Sequence, residues 1–235
     1  MEKPIYPSPY MRITQGYMEG THIDSFAIDE AGSDSGIDYL VAPFTGIIRK
    51  IYQQDANEVW LESVDKVEYP DGTIDYMTVL FAHDNDVSNL SVGQVITKGT
   101  RFYEEGTKGN ASGNHVHIEC GLGKFTGTGW HQNAGGYWSI NNSKNPTDCF
   151  FIDDSITILD SHGYTFKKIE PEVVEEEPVV TPPVSEEVED TTNDSNNSNG
   201  TPIEEDISSP QLIFTCPKTD VYAIELEEGQ KLYLE

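Results

Sequence analysis

His115-Val116-His117 places two imidazoles one residue apart. In a β-strand such a pair points to one face, because side chains alternate with period two. Phe81-Ala82-His83 lies about thirty residues upstream, and His22 and Asp29 stand near the N-terminus. Four of the six histidines and one aspartate therefore form a spaced constellation. Its chemistry is that of a mononuclear zinc site with two histidines to spare. Zinc takes nitrogen and oxygen ligands tetrahedrally, and a catalytic zinc keeps one position for water. His131 and His162 fall outside this spacing and read as bystanders. Asp24 reads as a solvated turn carboxylate, since a second carboxylate would crowd a three-ligand site. Glu119 follows His117 by two and shares its face. A hydrogen bond behind a ligating histidine and a salt bridge on the sheet are both open to it.

Strands must hold these groups. Through residues 1–168, short runs rich in Val, Ile, Tyr and Thr alternate with Gly, Asn, Asp and Pro. Residues 46–52, 58–62, 76–83 and 115–119 read as strands. Asp71-Gly72 is a good hairpin turn, and residues 92–99 read as strand, turn and strand edge. No segment keeps a 3.6-residue apolar period over three turns, so helices should be few and short. The expected fold class is mainly β, built on an antiparallel β-sheet. Cys120 alternates away from His117 and reads as core filler. The Gly- and Asn-rich residues 121–138 directly follow the H-x-H strand and are expected to form one wall of a cleft. For Tyr17, Tyr103, Trp130, Tyr137 and Trp138, packing is the default role and lining a peptide groove the alternative.

The chain has 235 residues and a formal net charge of −27. Residues 1–168 carry 23 acidic and 12 basic side chains, and residues 169–235 carry 18 and 2. Such a balance argues against nucleic acid, whose phosphates demand a basic surface. It argues equally against electrostatic docking on anionic lipid or wall polymer. Three cysteines, Cys120, Cys149 and Cys216, are an odd and irregularly spaced set, so no disulfide framework is expected. No signal peptide is visible and no apolar run approaches a membrane span. Residues 1–168 read as one domain. Residues 169–210 are acidic and rich in Pro, Ser and Asn, the composition of a disordered, self-repelling linker. Residues 211–235 have strand patterning but too little core to stand alone. Docking to a protein partner, or self-association, is the expectation for them.

In ordered segments, residues 10–155 resemble the lysostaphin-type (LytM/LasA-like) zinc endopeptidases, which cut peptidoglycan peptides. Arg12-Ile13-Thr14-Gln15-Gly16-Tyr17 is similar to the family's opening strand. Val41-Ala42-Pro43-Phe44-Thr45-Gly46-Ile47-Ile48 resembles its A-P-x-x-G turn and strand. Phe81-Ala82-His83 resembles its Y-A-H, and residues 92–99 its V-G-x-x-V-x-x-G. The glycine-rich approach Gly109-Asn110-Ala111-Ser112-Gly113-Asn114 leads into H-x-H-x-E. One segment departs from the commonest pattern. The residue four before Asp29 is Ser25, and His22 lies seven before, which resembles an H-x6-D variant of phage members. The same stretch resembles a motif of D-alanyl-D-alanine carboxypeptidases, but their third ligand sits in E-x-x-H and not in H-x-H-x-E.

The resemblance implies that His22, Asp29 and His117 bind zinc, with His83 and His115 unligated beside the open position. Zinc lowers the pKa of bound water to about 7 and polarises the scissile carbonyl. One spare histidine would orient or deprotonate the water, and the other would donate to the oxyanion. Sequence leaves open which does which, and only the resemblance prefers His117 over His115 as third ligand. The expected function is zinc-dependent hydrolysis of peptidoglycan stem or cross-bridge peptides. The intact site without an export signal points to a phage lytic protein, an endolysin or a virion-associated enzyme. It would be made in a cytoplasm and act on the wall after release or as part of a virion. The rivals are a carboxypeptidase of the D-alanyl-D-alanine type and a non-catalytic module of the same fold.

Overall fold

Alternation along the strands gives this chain a sheet with one dry face and one chemical face. The computed structural model describes residues 1–169. The expectations for a linker and a terminal strand segment fall on residues 170–235, outside the described residues. Among the described residues every regular element is a β-strand except one 3-10 turn, Pro146–Asp148. No helix there is long and apolar enough to cross a membrane.

The main sheet has nine strands. From one edge they run Thr157–Asp160, Tyr10–Gln15, Ile28–Glu30, Val116–Leu122, Met77–Ala82, Glu58–Ser63, Gly46–Tyr52 and Val95–Ile96, with Ser143–Lys144 also paired to Val116–Leu122. Its pairs are antiparallel, apart from the parallel edge of Tyr10–Gln15 on Thr157–Asp160. Asp71-Gly72 turns a small hairpin between Val67–Glu68 and Ile74–Asp75, as its sequence predicts. Gly72 has φ 87°, which glycine adopts without steric cost. Of residues 92–99 only Val95–Ile96 is strand. Gly93 (φ 89°) and Gly99 (φ 77°) turn the chain out of the ladder on either side.

Register decides which side chains meet. His117 stands opposite Asp29 on one neighbour and Ala82 on the other. Glu119 stands opposite Leu80, Leu80 opposite Trp60, and Trp60 opposite Lys50. These residues share one face. Val116, Ile118 and Cys120 take the other, where they pack with Ile28, Val79 and Phe81 in the main core. Cys120 and Cys149 are buried thiols without a disulfide, so Cys120 fills the core as its alternation implies. Fully burying side chains of this size stabilises by roughly 1.5–3 kcal/mol each. A one-residue slip would exchange the faces, so the core also fixes the register of the chemical face.

That face is partly covered. Trp60, Leu80 and Ile140 form a second apolar cluster, with Tyr52, Phe125 and Trp130 packed on it. The covering segment is the Gly- and Asn-rich stretch, which folds into the hairpin Trp130–Gln132 with Trp138–Ile140. Two buried carboxylates of the sheet tie it down. Phe125 N donates to Glu62 Oε2 (2.7 Å), and Ile140 N donates to Glu119 Oε2 (3.0 Å).

Candidate metal centre

Asp29 and His117 are adjacent because they are register partners on neighbouring strands. His22 arrives from the loop between Tyr10–Gln15 and Ile28–Glu30. That loop folds on itself: His22 N donates to Glu19 O, while Met18 N and Ser25 N donate to His22 O. Met18 (φ 65°) and Asp24 (φ 55°) take left-handed turns within it. A turn at Ile23 and Asp24 and the short run to the strand at Ile28 take up the six residues between His22 and Asp29, and His22 is 1% exposed beside the strand.

Three atoms converge there. His22 Nε2 lies 3.1 Å from His117 Nδ1, and Asp29 Oδ1 lies 3.3 Å and 3.2 Å from those two nitrogens. Ligands about 2.0–2.1 Å from a tetrahedral zinc are separated by about 3.3 Å along each edge. The triangle therefore has the size, and the two-nitrogen, one-oxygen composition, of three corners of such a site. Among the described residues this is the group of three that could hold a metal ion. His115 Nε2 stands farther off, 3.8 Å from Asp29 Oδ1.

A buried carboxylate backs His117. Its Nε2 lies 3.1 Å from Glu119 Oε1, and Glu119 Oε2 also accepts from Ser139 Oγ at 2.5 Å. Donating Nε2–H to Glu119 leaves the Nδ1 lone pair for a metal, a pattern that fixes tautomer and ring orientation. Of the two roles open to Glu119 in sequence, the structure places it behind the histidine. Burial alone would lower the His117 pKa, but the hydrogen bonds with Asp29 and Glu119 outweigh it and push it up to about 10. Burial alone would raise Asp29, but hydrogen bonds from His117 and His22 outweigh it and hold the carboxyl well below its usual range. In the metal-free chain the site is thus a cation held between two carboxylates. A divalent ion would replace that proton. His22 Nδ1 is buried without a hydrogen-bond partner.

The two remaining histidines stand side by side, ring centroids 4.6 Å apart. His83 Nδ1 lies 2.8 Å from Lys108 O and His115 Nδ1 lies 2.9 Å from Gly113 O. A carbonyl accepts, so in each neutral ring Nδ1 carries the proton and Nε2 keeps its lone pair. Burial lowers the His83 pKa to about 4. His83 also has φ 90°, an outlier for a side chain of this kind. Its surroundings enforce that conformation. His83 N donates to Ala56 O, Lys108 N donates to His83 O, and Asn57 Nδ2 donates to the next carbonyl, Asp84 O. The Tyr103 hydroxyl donates to Asn57 O and accepts from Asp84 N.

Gly106 joins the pair. It exchanges backbone hydrogen bonds with His115, and a Cβ there would meet His83 O at 2.2 Å. Gly106→Ala is expected to displace both histidines while leaving the triangle of His22, Asp29 and His117 in place. A misplacement near 1 Å costs about 10²-fold in rate. Bound zinc and turnover, measured on the same preparation, check this: zinc is retained and turnover falls.

The other sequence candidates lie apart. His131 is exposed on the covering hairpin, and His162 pairs with Glu19 at 2.8 Å. Tyr103 is buried in the network under His83, and Tyr17 stacks on Phe26. Trp130, Tyr137 and Trp138 line a cleft of about 400 Å³ that His83, His117 and Glu119 also line. The stretch 121–138 does form one wall. Sequence reading missed Gly106, Ser139 and the Asn57–Tyr103–Asp84 network.

No protein-family model matches this chain, and no curated protein does. Solved structures do match. A prophage-encoded M23 protein of Enterococcus faecalis, EnpA, is similar through its catalytic domain at 18% identity, covering 52% of this chain and 88% of that one, with a TM-score of 0.38. Lysostaphin of Staphylococcus simulans matches at 16% identity over 53% and 84%, TM-score 0.33. The solved neighbours also include the SpoIIQ–SpoIIIAH pore-forming complex, at 21% identity over 52% of this chain and 63% of that one, TM-score 0.33. A zinc-containing peptidase of Vibrio cholerae matches at 18% identity, TM-score 0.39, and this chain spans 37% of that protein's length.

Proposed function

We infer that the chain is a zinc-dependent endopeptidase acting on the stem or cross-bridge peptides of peptidoglycan. The observation that carries the metal assignment is the triangle of His22 Nε2, Asp29 Oδ1 and His117 Nδ1, with edges of 3.1–3.3 Å. The substrate assignment rests on the ordered motifs that resemble the lysostaphin type. His22, Asp29 and His117 would hold the ion, and Glu119 would orient His117 from behind. When bound, zinc supplies Lewis-acid polarisation and brings the pKa of water to about 7.

The chain's own groups do the rest. His83 and His115 each present Nε2 with Nδ1 anchored on a carbonyl, so neither ring can turn freely. One takes the proton of the attacking water, and the other, protonated, donates to the oxyanion of the tetrahedral intermediate. The cleft that His83 and His117 line gives an extended peptide a place beside the centre. A lytic role on walls, as in a phage lysis protein, is part of this proposal and follows from the motif resemblance.

Mass spectrometry of products from purified walls tests the reading. Endopeptidase action opens cross-links and yields fragments with new internal termini. Products shortened by one terminal residue with cross-links intact would make the chain a carboxypeptidase. No release from walls of any peptide chemistry, with zinc bound, would leave a non-catalytic module.

A further inference from the structure

The cleft beside the metal centre is chemically lopsided. One wall is aromatic: Tyr52 and Trp130 stand edge to face at 5.1 Å, and Trp138, 63% exposed, lies 5.9 Å from Trp130. Two carboxylates, Asp55 and Glu58, line the same cleft, Glu58 in register with Tyr52 on the neighbouring strand, and no lysine or arginine lines it. Glu58 shares the sheet's chemical face with Trp60, two residues on. Its Oε2 is buried and makes no hydrogen bond. Burial pushes the Glu58 pKa up, backbone hydrogen bonds from Glu58 itself and Ala56 pull it down, and the charge of Asp55 pushes it up again. Lys50 pulls the other way; it does not line the cleft, but donates to Thr128 O at 2.6 Å and covers one face of the Trp130 ring, 3.6 Å from its centroid, leaving Trp138 and the carboxylates open to a ligand.

A buried carboxylate oxygen without a donor is costly, and a second carboxylate nearby raises that cost. A ligand that brought an ammonium group would relieve both, since charged hydrogen bonds are the strong ones. Aromatic faces beside the carboxylates favour the same charge and cover an alkyl stem. The third carboxylate of the cleft, Glu119, is already engaged with His117, Ser139 and Ile140. Asp55 and Glu58 therefore give the cleft its preference.

We propose that Asp55, Glu58 and the Tyr52–Trp130–Trp138 wall form a subsite for a primary alkylammonium group, so that this chain selects wall peptides bearing a free amine. This rests on the peptidase reading above and adds the substrate class. The same site would discriminate against peptides whose amine is acylated or absent.

The test uses the full zinc-loaded chain and one preparation of soluble wall peptides, half of it N-acetylated. At low substrate concentration the free-amine half is expected to be cleaved about tenfold faster, the effect of one or two charged hydrogen bonds. Glu58→Gln and Asp55→Asn should each bring that ratio toward one. Asp55 is exposed, so its variant is read even where Glu58→Gln fails to fold. Equal cleavage of both halves by the unmodified protein, or a ratio unchanged in both variants, overturns the subsite. If neither half is cleaved, the peptidase reading fails on its own account. Calorimetric binding of the two halves then decides the subsite: tighter binding of free amines supports it and equal binding overturns it.

Discussion

His117→Ala is expected to purify without zinc and to release nothing from cell walls. Three protein ligands are the minimum of a catalytic zinc site, and His117 Nδ1 supplies one corner of the triangle, 3.1 Å from His22 Nε2 and 3.2 Å from Asp29 Oδ1. Removing it also leaves Glu119 buried without its cationic partner, so some loss of stability should accompany the loss of metal. His22→Ala and Asp29→Ala should behave alike toward zinc. Ser25→Ala is the control: it occupies the position four before Asp29, where the commonest lysostaphin-type pattern has its histidine. Its Oγ lies 3.5 Å from Ser139 Oγ and accepts a long bond from Ala27 N. It should keep both zinc and activity. Elemental analysis and wall lysis on the same four preparations check the set. Full zinc and activity in His22→Ala would overturn the H-x6-D assignment.

His83→Ala and His115→Ala form the second expected result. Each should keep stoichiometric zinc and lose about 10²–10⁴-fold in turnover, the usual contribution of a placed acid, base or oxyanion donor. Zinc content and initial rates on soluble wall peptides separate the two effects. Metal lost from His115→Ala but kept by His117→Ala would reverse the roles of the H-x-H pair. The 3.8 Å from His115 Nε2 to Asp29 Oδ1, against 3.2 Å for His117 Nδ1, argues for the order given.

Metal uptake should also depend on pH. His117 is held protonated up to about pH 10 in the metal-free chain, and a ligating histidine must be neutral. Zinc therefore competes with a proton, and its apparent affinity should rise with pH through the neutral range. The shift runs upward, so the stability that the His117 cation gives the metal-free fold is present at neutral and acidic pH. It fades as pH climbs through that value.

Much of this was legible because it is periodic. Strand alternation alone puts His117 and Glu119 on one face and Ile118 and Cys120 on the other, and the sheet obeys it. The Asp71-Gly72 turn and the scarcity of helix follow from local residue chemistry in the same way. The spacing of His22 from Asp29 depends on a loop that turns at Ile23 and Asp24, which no period encodes. It was readable only by resemblance to a motif. What escaped sequence reading are contacts between distant segments. Gly106 matters because its missing Cβ leaves room for His83 O, a fact set by the fold and not by its neighbours in the chain. Ser139 reaches Glu119 only once the 121–138 stretch has folded over the sheet. Glu58 could have been placed beside Trp60 and Glu62 by alternation, but nothing in sequence says that it opens on the metal cleft. The parallel edge of Tyr10–Gln15 on Thr157–Asp160 joins the two ends of the domain, and local patterning cannot foresee it.

The claim that this is a zinc peptidase is tested most directly by metal content coupled to activity in the unmodified chain. Protein purified without chelator is assayed for zinc, stripped, and reloaded while release of wall peptides is followed. The proposed function predicts one zinc per chain, cleavage that disappears on stripping and returns in proportion to zinc restored. Cleavage that persists in the stripped protein, or a fully zinc-loaded protein that cleaves no wall peptide, would contradict it.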